Sequence, residues 1–160
     1  MSESREIDEL DRRILHVLKD HAEMPNNLLA EKVGLTPAPC LRRVQRMRKL
    51  GIIRRYTVEV DPAALGYGIS AFVQITLRQH SGEVSSRFMS TIQSKRQVVS
   101  CHMVAGDCDF VLHVQVRDLA EYRKLIWQDL HRIEGVERIH SMIVLDTVKD
   151  GGGKHTVGHS

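Results

Sequence analysis

Hydrophobic residues near the start of the chain recur at the three-to-four-residue spacing of amphipathic helices. The first predicted helix covers residues 8–21, and Asp8 is suited to cap its start. The second covers residues 26–33 and ends at Gly34, because glycine readily adopts the left-handed conformation that closes a helix. The pattern predicts two short helices, each with one buried face.

A third helix is predicted from Thr36-Pro37 to about Leu50, since a hydroxyl that can cap, followed by proline, suits a helix start. A helical wheel divides its residues into two faces. The apolar face holds Leu41, Val44, Met47 and Leu50. The opposite face holds Ala38, Arg42, Gln45, Arg46 and Lys49. Two helices joined by a short turn containing glycine are typical of a helix-turn-helix, which would turn this second face to DNA.

Residues 52–60 follow Gly51 and alternate β-branched with polar side chains, which predicts a strand hairpin. A hairpin at this place would be the wing of a winged helix-turn-helix, with Arg54 and Arg55 where a wing meets phosphate. The glycines and the proline of residues 61–68 then interrupt the pattern and indicate a linker. We therefore assign residues 1–64 to a DNA-binding domain.

The remainder of the chain alternates strand and helix patterns. The predicted order is strand 69–78, helix 84–94, strand 97–105, strand 108–117, helix 118–133 and strand 137–147. This βαββαβ order is that of a ferredoxin-like sandwich, so the fold class is α+β, with two helices on one face of an antiparallel sheet. The domain is expected to span residues 65–149 and to be followed by a disordered tail over residues 150–160, which has no apolar face. Because the strands are apolar in part on both sides, we expect the open face of the sheet to pack against a second copy.

Charge is concentrated in the first part of the chain. The net charge is +3, and residues 1–60 hold 12 lysines and arginines against 9 acidic residues, whereas residues 61–160 hold 11 of each. Residues 42–55 contain seven of the cations and no carboxylate. A solvated helix face normally mixes signs to gain pairs, so this stretch favours contact with a nucleic acid backbone.

Other chemistry is expected to be absent. The chain has no apolar run long enough to cross a membrane and a charged start, so a cytoplasmic protein is predicted. Three cysteines form no CxxC pair and are expected to be reduced thiols, with Cys40 packed inside. His102, His113 and His140 fall on predicted strands without the spacing of metal ligands, so no metal is expected.

Six motifs follow one another along the chain: IDELDRRIL (7–15), LAEKVGLTPAPCLRRVQRMRKLGII (29–53), DPAALGYG (61–68), VAGDCDFVLHVQV (104–116), EGV (134–136) and SMIVLDTVK (141–149). Together they resemble the Lrp/AsnC family, the leucine-responsive or feast/famine transcriptional regulators. The resemblance implies a regulator that binds double-stranded DNA and responds to a small effector, an amino acid or related metabolite, and needs no further cofactor. It also implies dimers formed largely by the effector domains, which associate into octamers or comparable rings.

In this mode of docking the start of the third helix enters the major groove, while later residues and the wing follow the backbone. We therefore expect Thr36, Ala38 and Arg42 to read bases, with Gln45 and Arg46 beside them. Arg43, Lys49, Arg54 and Arg55 are expected to contact phosphates. Which arginine reads bases and which contacts phosphate stays open at this stage.

The resemblance places the effector pocket around the Gly-Asp turn between the second and third strands. The residues it implies are Val104, Ala105, Gly106, Asp107 and Asp109, with His140 and Ser141 on the last strand. A glycine lets backbone N–H groups approach a carboxylate, and an aspartate can accept from an α-ammonium group. A simple hairpin turn is the alternative interpretation of Gly106-Asp107.

Two other functions share this domain design. One is an enzyme resembling the decarboxylases of haem precursors, which stays open because fold does not settle function. The basic stretch of residues 42–55 argues against it, since an enzyme acting on a porphyrin-like substrate would not need those cations on its third helix. The other is an architectural protein that wraps DNA without an effector.

Overall fold

The computed structural model describes residues 6–78 and 82–148. Of these, residues 6–59 and Val148 belong to one compact unit and the others, up to residue 147, to a second. The first unit contains three helices and the second contains a four-stranded sheet with two helices. Lys149 and the predicted tail, residues 150–160, lie outside the described residues.

The helices of the first unit are α1 (Glu9–Asp20), α2 (Asn26–Val33) and α3 (Pro37–Lys49). A reciprocal cap starts α1: the Asp8 carboxylate accepts from the backbone N–H of Asp11 at 2.8 Å, and the Asp11 carboxylate accepts from the N–H of Asp8 at 3.3 Å. Gly34 ends α2 in the left-handed conformation, with φ 74°. The helices enclose a core made of Ile14, Leu18, Leu29, Ala30, Val33, Cys40, Val44 and Met47. The predicted helices are confirmed to within one or two residues at each end.

Two details of α3 differ from prediction. The Thr36 hydroxyl makes no capping hydrogen bond, so its predicted role as a side-chain cap is wrong. Leu41 is 45% exposed, because the buried stripe of the helix runs through Cys40, Val44 and Met47 rather than through position 41. The packed thiol predicted for Cys40 is confirmed, and burial raises the pKa of that thiol.

Residues 54–60 form no strand in the described part of the chain, so the hairpin predicted over residues 52–60 is wrong. The N–H groups of Ile52 and Ile53 both donate to the carbonyl oxygen of Met47, at 2.9 and 3.2 Å, which holds them at the end of α3. The stretch that remains suits one strand of ordinary length but not two strands and a turn. Arg54 and Arg55 are exposed along it.

The second unit has the predicted βαββαβ order. Its elements are β1 (Ile69–Leu77), α4 (Gly82–Gln93), β2 (Val98–Met103), β3 (Phe110–Val116), α5 (Leu119–Lys124) and β4 (Val136–Ile143). The antiparallel sheet has the order β2-β3-β1-β4, which is the ferredoxin-like arrangement. Alternate residues of β1 and β3 pack with both helices in one core, where Phe88 and Phe110 have ring centroids 4.7 Å apart. The α+β class is confirmed.

The helix that starts with α5 continues over Leu125–Leu130 as a π-helical turn. A π-helical turn holds about one residue more than an α-helical turn. The buried stripe of the helix therefore falls on a different set of sequence positions before this turn than after it. Leu125 is therefore 1% exposed, whereas Leu119, which would lie on the same side as the buried Ile126 in a regular helix, is 57% exposed.

The sheet face opposite α4 and α5 carries polar and apolar side chains together. The Ser70 hydroxyl lies 2.8 Å from Nε2 of His113, and Phe72 stacks on the His113 ring at 5.1 Å. Burial lowers the pKa of His113. Phe72 and its β4 neighbour Met142 are each about two-fifths exposed, at 42% and 41%.

Candidate DNA-binding surface and effector pocket

The outer face of α3 is built from residues at helical spacing that point away from its buried stripe. Thr36, Ala38, Arg42, Gln45 and Lys49 are all exposed, as their predicted role requires. No acidic side chain pairs with Arg42 within residues 6–78 and 82–148. Because Arg42, Gln45 and Lys49 recur every three or four residues, they form one row along the helix.

The inner flank of α3 carries the two arginines that behave differently. Arg43 Nη1 donates to Asp8 Oδ2 at 2.6 Å and to Asp11 Oδ1 at 2.9 Å. Arg46 Nη2 donates to the other oxygen of Asp11, and its guanidinium also faces the backbone carbonyl of Glu6. The basic stretch therefore has acidic partners after all, and they come from the start of α1.

These contacts shift the titration of the groups that make them. The N–H of Asp11 and the guanidinium of Arg43 stabilise the charged carboxylate and lower the pKa of Asp8. Hydrogen bonds to Asp8 and Asp11 raise the pKa of Arg43. An open cleft of about 720 Å³ lies beside this network, lined by Glu6, Ile7, Asp8, Pro39, Arg42, Arg43 and Arg46.

Beyond α3, Arg48 lies over the ring of Tyr56, with its guanidinium carbon 5.8 Å from the ring centroid. This cation–π contact joins the last turn of α3 to the segment that carries Arg54 and Arg55. All three arginines are exposed, so the cations of this end of the unit are presented to solvent together.

A second candidate site lies on the open face of the sheet beside the turn between β2 and β3. A cavity of about 240 Å³ is lined there by Gln74, Thr76, Asp107, Cys108, Arg138 and His140. Arg138 donates from Nη2 to the backbone oxygen of Asp107 at 3.2 Å, which ties β4 to the turn. Two predicted effector residues, Asp107 and His140, thus share this cavity with four further polar groups. These are the guanidinium of Arg138, the hydroxyl of Thr76, the amide of Gln74 and the thiol of Cys108.

The other predicted effector residues lie elsewhere. Asp109 anchors the turn: its Oδ2 accepts from the N–H of Leu77 at 2.7 Å, and its own N–H donates to the carbonyl of Ile75 at 2.9 Å. Val104, Ala105 and Gly106 form the exposed tip of the turn. Ser141 pairs with the buried Val73, and so it faces the opposite side of the sheet from His140.

The residues that prediction missed are Gln74, Thr76, Cys108 and Arg138. The alternation of side chains along a strand puts Gln74 and Thr76 on the same side of β1. Only the strand register shows that this side faces the turn between β2 and β3. That register pairs Gln74 with His140 and Thr76 with Arg138. No group of three or more metal-binding side chains occurs among the described residues, and no helix among them is long and apolar enough to cross a membrane.

The fold and these two sites define a two-domain regulator, with a helix-turn-helix in the first unit and a ferredoxin-like binding domain in the second. The chain matches the family model for the winged helix-turn-helix DNA-binding domain over residues 7–54, and the model for the Lrp/AsnC ligand binding domain over residues 70–153.

It is 37% identical to the leucine-responsive regulatory protein of Klebsiella pneumoniae over 145 residues, which cover 91% of this chain and 88% of that one. The protein of the same name from Escherichia coli strain K12 is 36% identical over the same coverage.

Solved structures agree with this assignment. A transcriptional regulator from Neisseria meningitidis in complex with L-Met has a TM-score of 0.86 and 28% identity, and the match covers 91% of this chain and 94% of that one. An AsnC family regulator from Agrobacterium tumefaciens has a TM-score of 0.84 and 33% identity, with 90% and 94% covered. The chain belongs to the Lrp/AsnC family of DNA-binding transcriptional regulators, and the predicted resemblance is confirmed.

Proposed function

We propose that this regulator reads a specific DNA sequence with the outer row of α3 and that an amino acid bound beside the β2–β3 turn changes its affinity for DNA. The DNA-binding part of the proposal rests on the exposure of Arg42, Gln45 and Lys49. In the described part of the chain, no acidic side chain pairs with Arg42. The effector part rests on the cavity that is lined by Asp107, Arg138 and His140.

On the DNA side, Thr36 and Ala38 enter the major groove with Arg42, whose planar guanidinium suits the two acceptors of a guanine. Gln45 lies beside them on the next turn. Lys49, Arg54 and Arg55 contact phosphates and set the position of the helix without reading sequence.

On the effector side, the pocket matches the two charges that every free amino acid carries. Arg138 offers N–H donors to the α-carboxylate, and Asp107 accepts from the α-ammonium group. Gln74 and Thr76 supply the neutral hydrogen bonds that fix orientation. The L-Met complex of the Neisseria meningitidis regulator, a protein of the same fold, supports an amino acid as the effector class.

Self-association completes the proposal. Phe72 and Met142 expose apolar surface on the open face of the sheet, and burial of that face between two copies gives a dimer. Dimers associate further into octamers or comparable rings. The relatives are bacterial regulatory proteins, which supports a binding role rather than catalysis and a place of action in the cytoplasm.

The effector proposal is tested by a thermal-shift screen of the purified chain against the twenty amino acids, because a ligand that binds the folded state raises its melting temperature. We expect at least one amino acid to raise it. Arg138→Gln should abolish that shift, whereas Arg132→Gln, at another exposed arginine of the second unit, should preserve it. A shift that survives Arg138→Gln unchanged would place the ligand elsewhere.

The DNA proposal is tested with a duplex selected by the protein from a random library and a scrambled duplex of equal length. Arg42→Ala should weaken binding to the selected duplex by about 1–3 kcal/mol while weakening binding to the scrambled one far less. Equal losses on both duplexes would show that Arg42 contacts phosphate rather than bases.

A further inference from the structure

Asp11 is the one buried charged side chain within residues 6–78 and 82–148, and it is fully buried. It lies in the first turn of α1, yet both of its carboxylate oxygens are occupied by arginines of α3, which follow it by 32 and 35 residues. The capping of α1 needs neither arginine, since Asp8 and Asp11 cap each other through backbone N–H groups.

The two arginines are also less accessible than the outer row. The side chains of Arg43 and Arg46 are 28% and 35% exposed, and each reaches back toward α1. If both moved to DNA phosphates, the Asp11 carboxylate would lose both of its cationic partners. Removing the partner of a buried carboxylate is far costlier than losing an exposed ion pair, so the arginines stay with Asp11.

We infer that Asp11 is a positioning residue that holds Arg43 and Arg46 against α1 and keeps them off DNA. The DNA contacts of α3 then come from its outer face, which carries Ala38, Arg42, Gln45 and Lys49. This assigns to Arg43 and Arg46 a role different from the base and phosphate contacts predicted from the sequence.

The salt dependence of DNA binding tests this inference, since each phosphate neutralised by a cation adds about 0.9 to the slope of log K against log salt concentration. The probe is a labelled random-sequence duplex of about 30 base pairs, titrated by fluorescence anisotropy with the full chain between about 50 and 200 mM KCl. The matched pair is Arg54→Gln, at an exposed arginine proposed to contact phosphate, and Arg43→Gln, which removes the same charge.

Arg54→Gln should make the slope shallower by about 0.9, whereas Arg43→Gln should leave the slope unchanged and lower thermal stability. A slope that falls by about 0.9 in Arg43→Gln would overturn the inference, because Arg43 would then contact phosphate. This comparison does not depend on any variant at the buried position.

Asp11→Asn gives the complementary result. The amide keeps the size of the side chain but releases both arginines, so the slope should become steeper by up to about 1.8, and preference for a selected duplex over the random one should fall. A merely structural role for Asp11 would lower stability and leave the slope as it is. If the arginines already leave Asp11 for phosphate in the wild type, Asp11→Asn will raise affinity without a change of slope, which would also overturn the inference.

Discussion

Substitution of Gly135 by alanine should destabilise the second unit through a single identifiable clash. Gly135 lies in the turn before β4 with φ 92°, a conformation that side chains rarely adopt. A Cβ atom at this position would lie 2.3 Å from Cγ1 of Val84 on α4. The turn has little freedom to move away, because the Gly135 carbonyl accepts from the N–H of Arg78 at 2.8 Å and the neighbouring Glu134 is ion-paired with Arg87 of α4.

The magnitude follows from two costs. A left-handed backbone costs a residue other than glycine about 1–3 kcal/mol, and overpacking a filled site costs about 1–3 kcal/mol more. Alanine also restricts the unfolded chain, which returns about 0.4–1 kcal/mol. We expect a net loss of about 3 kcal/mol, which lowers the Tm of a unit of this size by roughly 12 °C or more.

Urea denaturation followed by the fluorescence of Trp127 measures this loss, because Trp127 is the single tryptophan of the chain and lies in the second unit. Gly66→Ala is the matched control: Gly66 has φ 82° in the same unit, and a Cβ there meets no atom within 4 Å. It should lose only the backbone cost. Val84→Ala in the Gly135→Ala background should recover part of the loss, with a coupling of about 1–3 kcal/mol. Equal losses in the two glycine variants, with no recovery from Val84→Ala, would refute the clash.

Three further outcomes are expected. Asp11→Ala should cost about 1–2 kcal/mol in urea denaturation followed by far-UV circular dichroism, since α1 loses half of its reciprocal cap and two part-exposed arginines lose their shared partner, whereas the exposed Glu9→Ala should stay within about 0.5 kcal/mol of the wild type; similar losses would contradict the buried network. Burial holds the pKa of His113 below its ordinary value of 6.5. Below pH 6.5 the histidine is therefore protonated more fully in the unfolded chain than in the folded one, and the free energy of unfolding falls as the pH is lowered. His113→Gln should reduce the fall of Tm with decreasing pH. An equal fall in the variant and the wild type would show that His113 does not cause it. Iodoacetamide should not label the buried Cys40 in the native chain, as counted by mass spectrometry, while unfolding in urea should expose it; rapid native labelling would contradict the packing of α3.

Much of the fold could be predicted because local patterns determine it. The cap at Asp8 and the left-handed glycine at Gly34 fix helix ends within a few residues of chain, and the βαββαβ order implies the sheet arrangement. Where a local rule fails, a neighbour in space overrides it. The π-helical turn brings Leu125 into the core and leaves Leu119 exposed, which a regular helical wheel does not anticipate.

The sites were less accessible to prediction for the same reason. The acids that pair with Arg43 and Arg46 lie more than thirty residues away in sequence, so counting charges within the basic stretch missed them. The pocket beside Asp107 depends on strand register, which brings Arg138 to the turn and turns Ser141 to the other face. Arg42 was placed on the outer face of α3 by the helical wheel because that placement needs only the helix itself.

The most direct test of the account is DNA affinity measured with and without effector. The purified full chain is titrated against its selected duplex and a scrambled duplex by fluorescence anisotropy, alone and with each of the twenty amino acids at millimolar concentration. We expect a marked preference for the selected duplex and at least one amino acid that changes that affinity by fivefold or more, the usual size of coupling between two sites. Equal binding to both duplexes, unaltered by every amino acid, would contradict it.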